Sequence, residues 1–108
     1  MTTLKVTTPS NQFIGYLKGV SARKKLHLDA YDFTNETVVL VFPDKTLTIS
    51  QSFLRGLLGR SLYNVIQYDM MFNYEVVTGN DKLDSIVERH MKSIRVSILA
   101  QGDNYEVH

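Results

Sequence analysis

The sequence lacks the residues on which several classes of protein depend. Its 108 residues include no cysteine and no tryptophan, and only two of them are proline. Without cysteine there is no disulfide framework, no CxxC redox centre, no thiolate zinc site and no cysteine nucleophile. A bound metal ion would need histidine and carboxylate ligands, and the three histidines are far apart in the sequence. We therefore expect neither a metal ion nor a cofactor.

Long apolar runs and an excess of one charge are also missing. No stretch approaches the roughly 20 apolar residues of a membrane-spanning helix, and the polar segment from Met1 to Ser10 lacks the apolar centre of a signal peptide. Lysine and arginine number 12 against 11 aspartates and glutamates. Such a balance gives no overall attraction to a polyanion or an anionic membrane. These absences predict a cytoplasmic protein whose partner is a protein rather than a membrane.

Sequence signatures of common enzymes are absent as well. The chain contains no GxSxG, HExxH or GxxxxGK[ST] motif, and no GxGxxG motif follows a predicted strand. Few groups are then left for catalysis. The sequence predicts a protein that is not an enzyme.

Hydrophobic periodicity predicts an α/β fold, with about three helices packed on a single mixed β-sheet. A chain of this length holds one core, and we recognise no linker and no internal repeat, so residues 1–108 are predicted to form one domain. The continuously apolar run 37–42 predicts a central strand buried on both faces. Apolar residues at helical spacing over 54–66 predict an amphipathic helix. The remaining predicted elements are an edge strand at 4–6, a helix over 22–30 capped by Ser21, a strand over 72–76, a helix over 83–94, and a closing strand pair at 94–99 and 104–107.

Two glycines, Gly56 and Gly59, lie inside the predicted amphipathic helix. Glycine inside a helix costs up to about 1 kcal/mol relative to alanine. Their presence therefore indicates that something approaches this helix closely, either another element of the chain or a partner.

The segment 47–53 joins a predicted buried strand to that helix and carries several hydroxyl groups. Unpaired N–H groups and the positive end of the helix dipole collect at a helix start. A hydroxyl there can cap the helix, help to bind an anion or accept a phosphate. Ser50 is the predicted cap.

Four segments match, in order, the pattern of a known family. They are Ser21-Ala22-Arg23, Val38-Val39-Leu40-Val41-Phe42, Ile49-Ser50-Gln51-Ser52-Phe53, and Asn80 before the helix over 83–91. Together they resemble the STAS-like domains related to bacterial anti-sigma-factor antagonists, over roughly residues 14–92. The resemblance implies a mixed sheet with helices packed on it. It also implies a non-catalytic function, the binding of a serine-kinase-like ATPase or an anti-sigma-type regulator.

The chain departs from that family at the predicted helix start. Val41 stands where the family usually has an acid, and an Asp-Ser-Ser/Thr-Gly run opens the family's helix. Aligned with that run, Gln51 stands at the phosphoacceptor, between Ser50 and Ser52. Ser52 and Ser50 remain candidate phosphorylation sites. The predicted partner-contact residues are Ser50, Gln51, Ser52, Phe53, Arg55 and Gly56.

Two other functions fit the same sequence. One is a stand-alone inhibitor or accessory protein that acts on another enzyme. The other, less favoured, is a nucleic-acid accessory protein whose basic run Arg23-Lys24-Lys25 contacts phosphates, although the same run is also typical of a solvated helix face. An exposed edge strand leaves homo-oligomer formation open.

Overall fold

The computed structural model describes residues 1–8 and 10–102, which form five strands and three α-helices. The strands are β1 (Thr2–Lys5), β2 (Gln12–Phe13), β3 (Val38–Val41), β4 (Thr48–Ile49) and β5 (Tyr74–Val77). The helices are α1 (Tyr16–Lys25), α2 (Gln51–Gln67) and α3 (Asp81–Gln101), and a 3₁₀ turn at Leu28–Ala30 follows α1. The predicted α/β class with three helices is confirmed.

The strands pair in two parallel sheets. One sheet has the order β1-β3-β5, and the other consists of β2 and β4. The expected arrangement was a single mixed sheet. A helix separates the two strands of each pair along the chain, and a crossover of this kind joins parallel neighbours rather than the antiparallel strands of a hairpin.

The closing strand pair predicted from the sequence is not present among the described residues. Residues 94–99 belong to α3, where Ile94 and Ile98 continue the buried stripe begun by Leu83 and Val87. The β-branched residues of this segment favour a strand locally, but burial of a continuous helical stripe prevails. Residues 104–107 lie outside the described part of the chain.

The three-stranded sheet is covered on one face. Val38 and Leu40 of β3 are fully buried, whereas the alternating residues Val39 and Val41 are only half-buried. The crossovers from β1 to β3 and from β3 to β5 lead in the same direction across the sheet. Right-handed connections therefore place α1 and α2 on the same face. Helix α3 packs on α2. The predicted burial of β3 on both faces is complete only on the face of Val38 and Leu40.

Helix α1 begins earlier than its predicted cap. Gly15 precedes the helix with φ of 103°, a backbone conformation that favours glycine, and the chain then enters α1 at Tyr16. Ser21, predicted as the N-cap, is exposed in the middle of the helix. At the other end, His27 adopts φ of 54°, which ends α1 and starts the 3₁₀ turn.

An internal repeat, which sequence patterning did not predict, underlies this architecture. The register partners Thr2, Val38 and Tyr74 follow one another at intervals of 36 residues. Segments 16–33 and 53–70 also align at a separation of 37 residues. Their five identical pairs are Leu17/Leu54, Gly19/Gly56, Arg23/Arg60, Tyr31/Tyr68 and Asp32/Asp69.

The repeated glycines form the crossing point of α1 and α2. A Cβ on Gly19 would lie 2.1 Å from the carbonyl oxygen of Phe53, and one on Gly56 would lie 2.2 Å from that of Tyr16. Tyr16 and Phe53 are themselves equivalent in the repeat, so the two contacts are reciprocal. The close approach expected at Gly56 is thus made by another helix of the same chain.

Candidate interaction surface at the start of helices α1 and α2

One serine hydroxyl links the beginnings of α1 and α2. Because β2 and β4 are parallel neighbours, the helices that follow them start side by side. The Ser50 Oγ accepts hydrogen bonds from the Phe53 amide at 3.1 Å and from the Gly15 amide at 3.3 Å. It also lies 3.1 Å from the Ser52 Oγ. Ser50 therefore caps α2, as predicted, and holds the residue before α1 in place.

The structure separates the six predicted contact residues into two groups. Gln51 and Arg55 are exposed, and Ser50 and Ser52 are half-buried. Phe53 is only 2% exposed, and its ring packs edge-on against that of Phe13 at 5.3 Å. Gly56 is buried against α1. Phe53 and Gly56 are therefore removed from the contact surface, because their surroundings are the core of this chain.

Three exposed apolar residues lie close in the sequence to the Gly15–Ser50 hydrogen bond. Ile14 is 46% exposed, Leu17 is 79% exposed and Leu47 is 70% exposed. Each lies within three residues of Gly15 or Ser50 in the sequence. We group them with the exposed Gln51 and Arg55 and the half-buried Ser52 as the start surface. Its residues are Ile14, Leu17, Leu47, Gln51, Ser52 and Arg55.

Sequence patterning did not identify the apolar part of the start surface. Leu17 and Leu54 occupy equivalent positions in the repeat, yet Leu54 is completely buried. The difference arises because α2 contacts both α1 and α3. Only the assembled fold distinguishes these two leucines.

Arg55 is held against the neighbouring helix. Its guanidinium carbon lies 4.8 Å from the centre of the Tyr16 ring. An exposed cation–π contact of this kind contributes about 0.5–1 kcal/mol. It fixes the direction of the arginine while leaving its charge accessible at the start surface.

A second group of polar residues lies inside the protein, between α1, α2 and β5. The Asp32 carboxylate accepts hydrogen bonds from the Ser61 hydroxyl at 2.6 Å and from the Tyr74 hydroxyl at 2.7 Å, and it forms an ion pair with Arg23. Arg23 also donates to the carbonyl oxygen of Leu57 at 3.0 Å. Arg23 is 6% exposed and Asp32 is 4% exposed. We call Arg23, Asp32, Ser61 and Tyr74 the buried polar cluster.

This cluster changes the interpretation of the basic run 23–25. Arg23 donates through Nε and Nη2 to Asp29 at 3.1 and 2.7 Å, in addition to its bonds within the cluster. Its guanidinium is therefore occupied and lies neither on a solvated face nor in a phosphate-binding patch. Lys24 and Lys25 are the exposed members of the run. The sequence feature that indicates a buried polar partner is Ser61, because its hydroxyl interrupts the apolar stripe of α2 and requires a hydrogen bond.

The environment of Tyr74 keeps its hydroxyl protonated. Burial raises the pKa of Tyr74 well above its ordinary value, and the nearby Asp32 carboxylate adds to the effect. Every buried side-chain nitrogen and oxygen among the described residues has a hydrogen-bond partner. The buried polar groups of the cluster are thus all hydrogen-bonded, as is typical of a structural network.

In the described part of the chain, histidines and carboxylates form no group of three that could hold a metal ion. No helix formed by residues 1–8 and 10–102 has the length and apolar character needed to cross a membrane. Comparison with family models, with curated proteins and with solved structures finds no match to this chain.

Proposed function

We propose that this chain is a non-catalytic interaction domain that binds a partner protein through the start surface. The observation that carries the proposal is the exposure of Ile14, Leu17 and Leu47, each within three residues of the Gly15–Ser50 hydrogen bond that joins two helix starts. Protein interfaces combine an apolar centre with a polar rim. Gln51, Ser52 and Arg55 supply such a rim.

The rigidity of this region also supports a binding role. The Gly15–Ser50 bond, the Arg55–Tyr16 contact and the glycine crossing fix the two helices relative to each other. A preorganised surface loses less conformational entropy when a partner binds.

Phosphorylation of Ser52 is the form of regulation that we propose for this surface. Its hydroxyl lies beside the Ser50 cap and is half-buried. A phosphate would add nearly two negative charges among exposed apolar side chains and beside Arg55. Ser50 is the less suitable of the two serines, because its oxygen already accepts two backbone hydrogen bonds.

The resemblance to STAS-like domains suggests the class of partner, a serine-kinase-like ATPase or an anti-sigma-type regulator. The regulatory role and the cytoplasmic location are predictions that rest on the sequence. The nucleic-acid alternative is weakened, because Arg23 is occupied by Asp29 and Asp32.

Site-specific photo-cross-linking in the native host tests the proposal. A photoreactive amino acid replaces Leu17 in one variant and Leu99, which is 56% exposed on α3, in a matched control. We expect the Leu17 variant to cross-link one specific protein and the Leu99 variant to leave that protein unlinked. Equal cross-linking at the two positions, or none at Leu17, contradicts the proposed surface.

A further inference from the structure

The internal repeat places two arginines in equivalent positions, and they have different surroundings. Arg23 reaches from α1 to the carbonyl oxygen of Leu57 on α2. Arg60, its equivalent, lies with Val20 of α1 along one cleft. Val20 and Leu57 occupy equivalent positions in the repeat as well.

The two arginines differ in their carboxylate partners. Arg23 is paired with the buried Asp32, nine residues further along the chain. Asp69 stands at the same distance after Arg60, but it adopts φ of 52° and is exposed. Within residues 1–8 and 10–102, Arg60 forms no ion pair. In the second copy of the repeat, the arginine is therefore not paired with the aspartate that follows it.

The cleft beside Arg60 has a volume of about 400 Å³ and lies between α1, the following 3₁₀ turn and α2. Lys24 and Arg60 contribute exposed positive charges, and Asn64 lies on the wall. Phe33, which is 60% exposed, provides an apolar surface. The two carboxylates of the lining, Asp29 and Asp32, are both bound to Arg23.

We propose that this cleft binds a carboxylate group, which occupies beside Arg60 the place that Asp32 occupies beside Arg23. The planar guanidinium suits a carboxylate, since both can form two parallel hydrogen bonds. Lys24 adds a point charge, and Phe33 contacts the apolar part of the ligand. A doubly charged phosphate is disfavoured, because Asp29 and Asp32 lie in the same cleft. The site shares no residue with the start surface and is independent of the proposed function.

The carboxylate can come from an acidic side chain of a protein or from a free small molecule. Titration of the isotopically labelled full chain, followed by NMR at the arginine side chains, distinguishes these sources. The probes are glutarate, a blocked Phe-Glu dipeptide and inorganic phosphate. Tighter binding of the dipeptide than of glutarate supports a protein side chain, whereas equal or weaker binding of the dipeptide supports a small molecule.

We expect saturable shifts at Arg60 with the carboxylate probes and no saturable shift at Arg95, an exposed arginine of α3. Arg60→Gln is expected to weaken binding at least about tenfold, the factor that corresponds to about 1.4 kcal/mol. Arg60→Lys retains the charge but not the planar fork, so its affinity should be intermediate. The matched control, Arg95→Gln, should bind as the parent protein does.

Three results would overturn the assignment. They are the absence of a saturable shift at Arg60 with either carboxylate probe, tighter binding of phosphate than of both carboxylates, and an equal loss of affinity in the Arg95→Gln and Arg60→Gln variants. Arg60 is exposed, so unfolding of the variants is not expected. A matching amide spectrum verifies this for each of them.

Discussion

Asp32 is the residue on which the buried polar cluster depends. Its carboxylate is the common partner of Arg23, Ser61 and Tyr74, which come from three separate elements. A buried charge pair is not in itself strong evidence of added stability, because removing both charges from water is costly. Loss of one partner is different, since it leaves the other charge buried and unpaired.

Replacement of Asp32 by asparagine is expected to lower the free energy of unfolding by about 3–5 kcal/mol, because the Arg23 charge loses its buried counter-ion. Asp29→Asn is the matched control. The Asp29 side chain is 84% exposed, so its pairing with the same arginine should contribute about 1 kcal/mol or less. Urea denaturation of both variants measures the difference. Equal losses in the two variants would mean that burial does not distinguish the two carboxylates.

Tyr74 makes stability depend on pH in the alkaline range. Its pKa is raised in the folded protein by burial and by Asp32, so the folded state retains the proton when the unfolded state has lost it. The contribution is fully present below the unfolded pKa of about 10 and declines as pH rises above that value. Tyr74→Phe should therefore show a shallower loss of stability above that pH than the parent protein. Tyr68→Phe, at an exposed tyrosine, should retain the parent slope.

At the scale of elements, the helix starts depend on contacts that are distant in sequence. The central part of α2, the strand β3 and the beginning of α3 could be predicted, because their signals lie within a few neighbouring residues. The start of α1 could not, since it is set by Gly15 and by a hydrogen bond to Ser50 across the sheet. The burial of Arg23 was missed for the same reason, because Ser61 on another helix accepts from it.

Two serine-to-alanine variants test these helix starts. Ser50→Ala removes the acceptor for the Phe53 and Gly15 amides, and we expect it to reduce stability by about 1–2 kcal/mol. Ser21→Ala changes an exposed position inside α1, so the effect should stay within about 0.5 kcal/mol. Thermal unfolding of the two proteins gives both values. A larger loss at Ser21 than at Ser50 would show that α1 begins where the sequence alone placed it.

The crossing of α1 and α2 is the most restrictive contact between elements. Gly19→Ala would place a Cβ against the backbone of α2, so the helices must separate or bend. We expect a loss of about 1–3 kcal/mol, the usual range for an overpacked site. Lys18→Ala, at the preceding exposed residue of α1, should change stability by no more than about 0.5 kcal/mol. Chemical denaturation of both variants provides the comparison, and a neutral Gly19→Ala would contradict the close crossing.

In the whole molecule, the two copies of the repeat place their arginine and aspartate in contrasting surroundings. The first copy buries its arginine and aspartate, whereas the second leaves both exposed. The described residues have a radius of gyration of 13.0 Å, close to the value of about 13 Å for a compact chain of 100 residues. Their apolar core is built mainly by the strands, α2 and α3, and α1 adds the partly buried Ala22. The two proposed binding sites, the start surface and the Arg60 cleft, both lie outside this core.

The proposed function requires that a partner protein bind at the start surface. The decisive measurement is the dissociation constant of the protein cross-linked at position 17, determined by calorimetry with the parent chain, with Leu47→Glu and with Leu99→Glu. Both leucines are exposed, so each substitution adds a charge without disturbing the core. We predict that Leu47→Glu weakens binding at least about tenfold, or about 1.4 kcal/mol, and that Leu99→Glu leaves it unchanged. Unchanged binding of Leu47→Glu, or equal weakening by both variants, would contradict the proposed binding at the start surface.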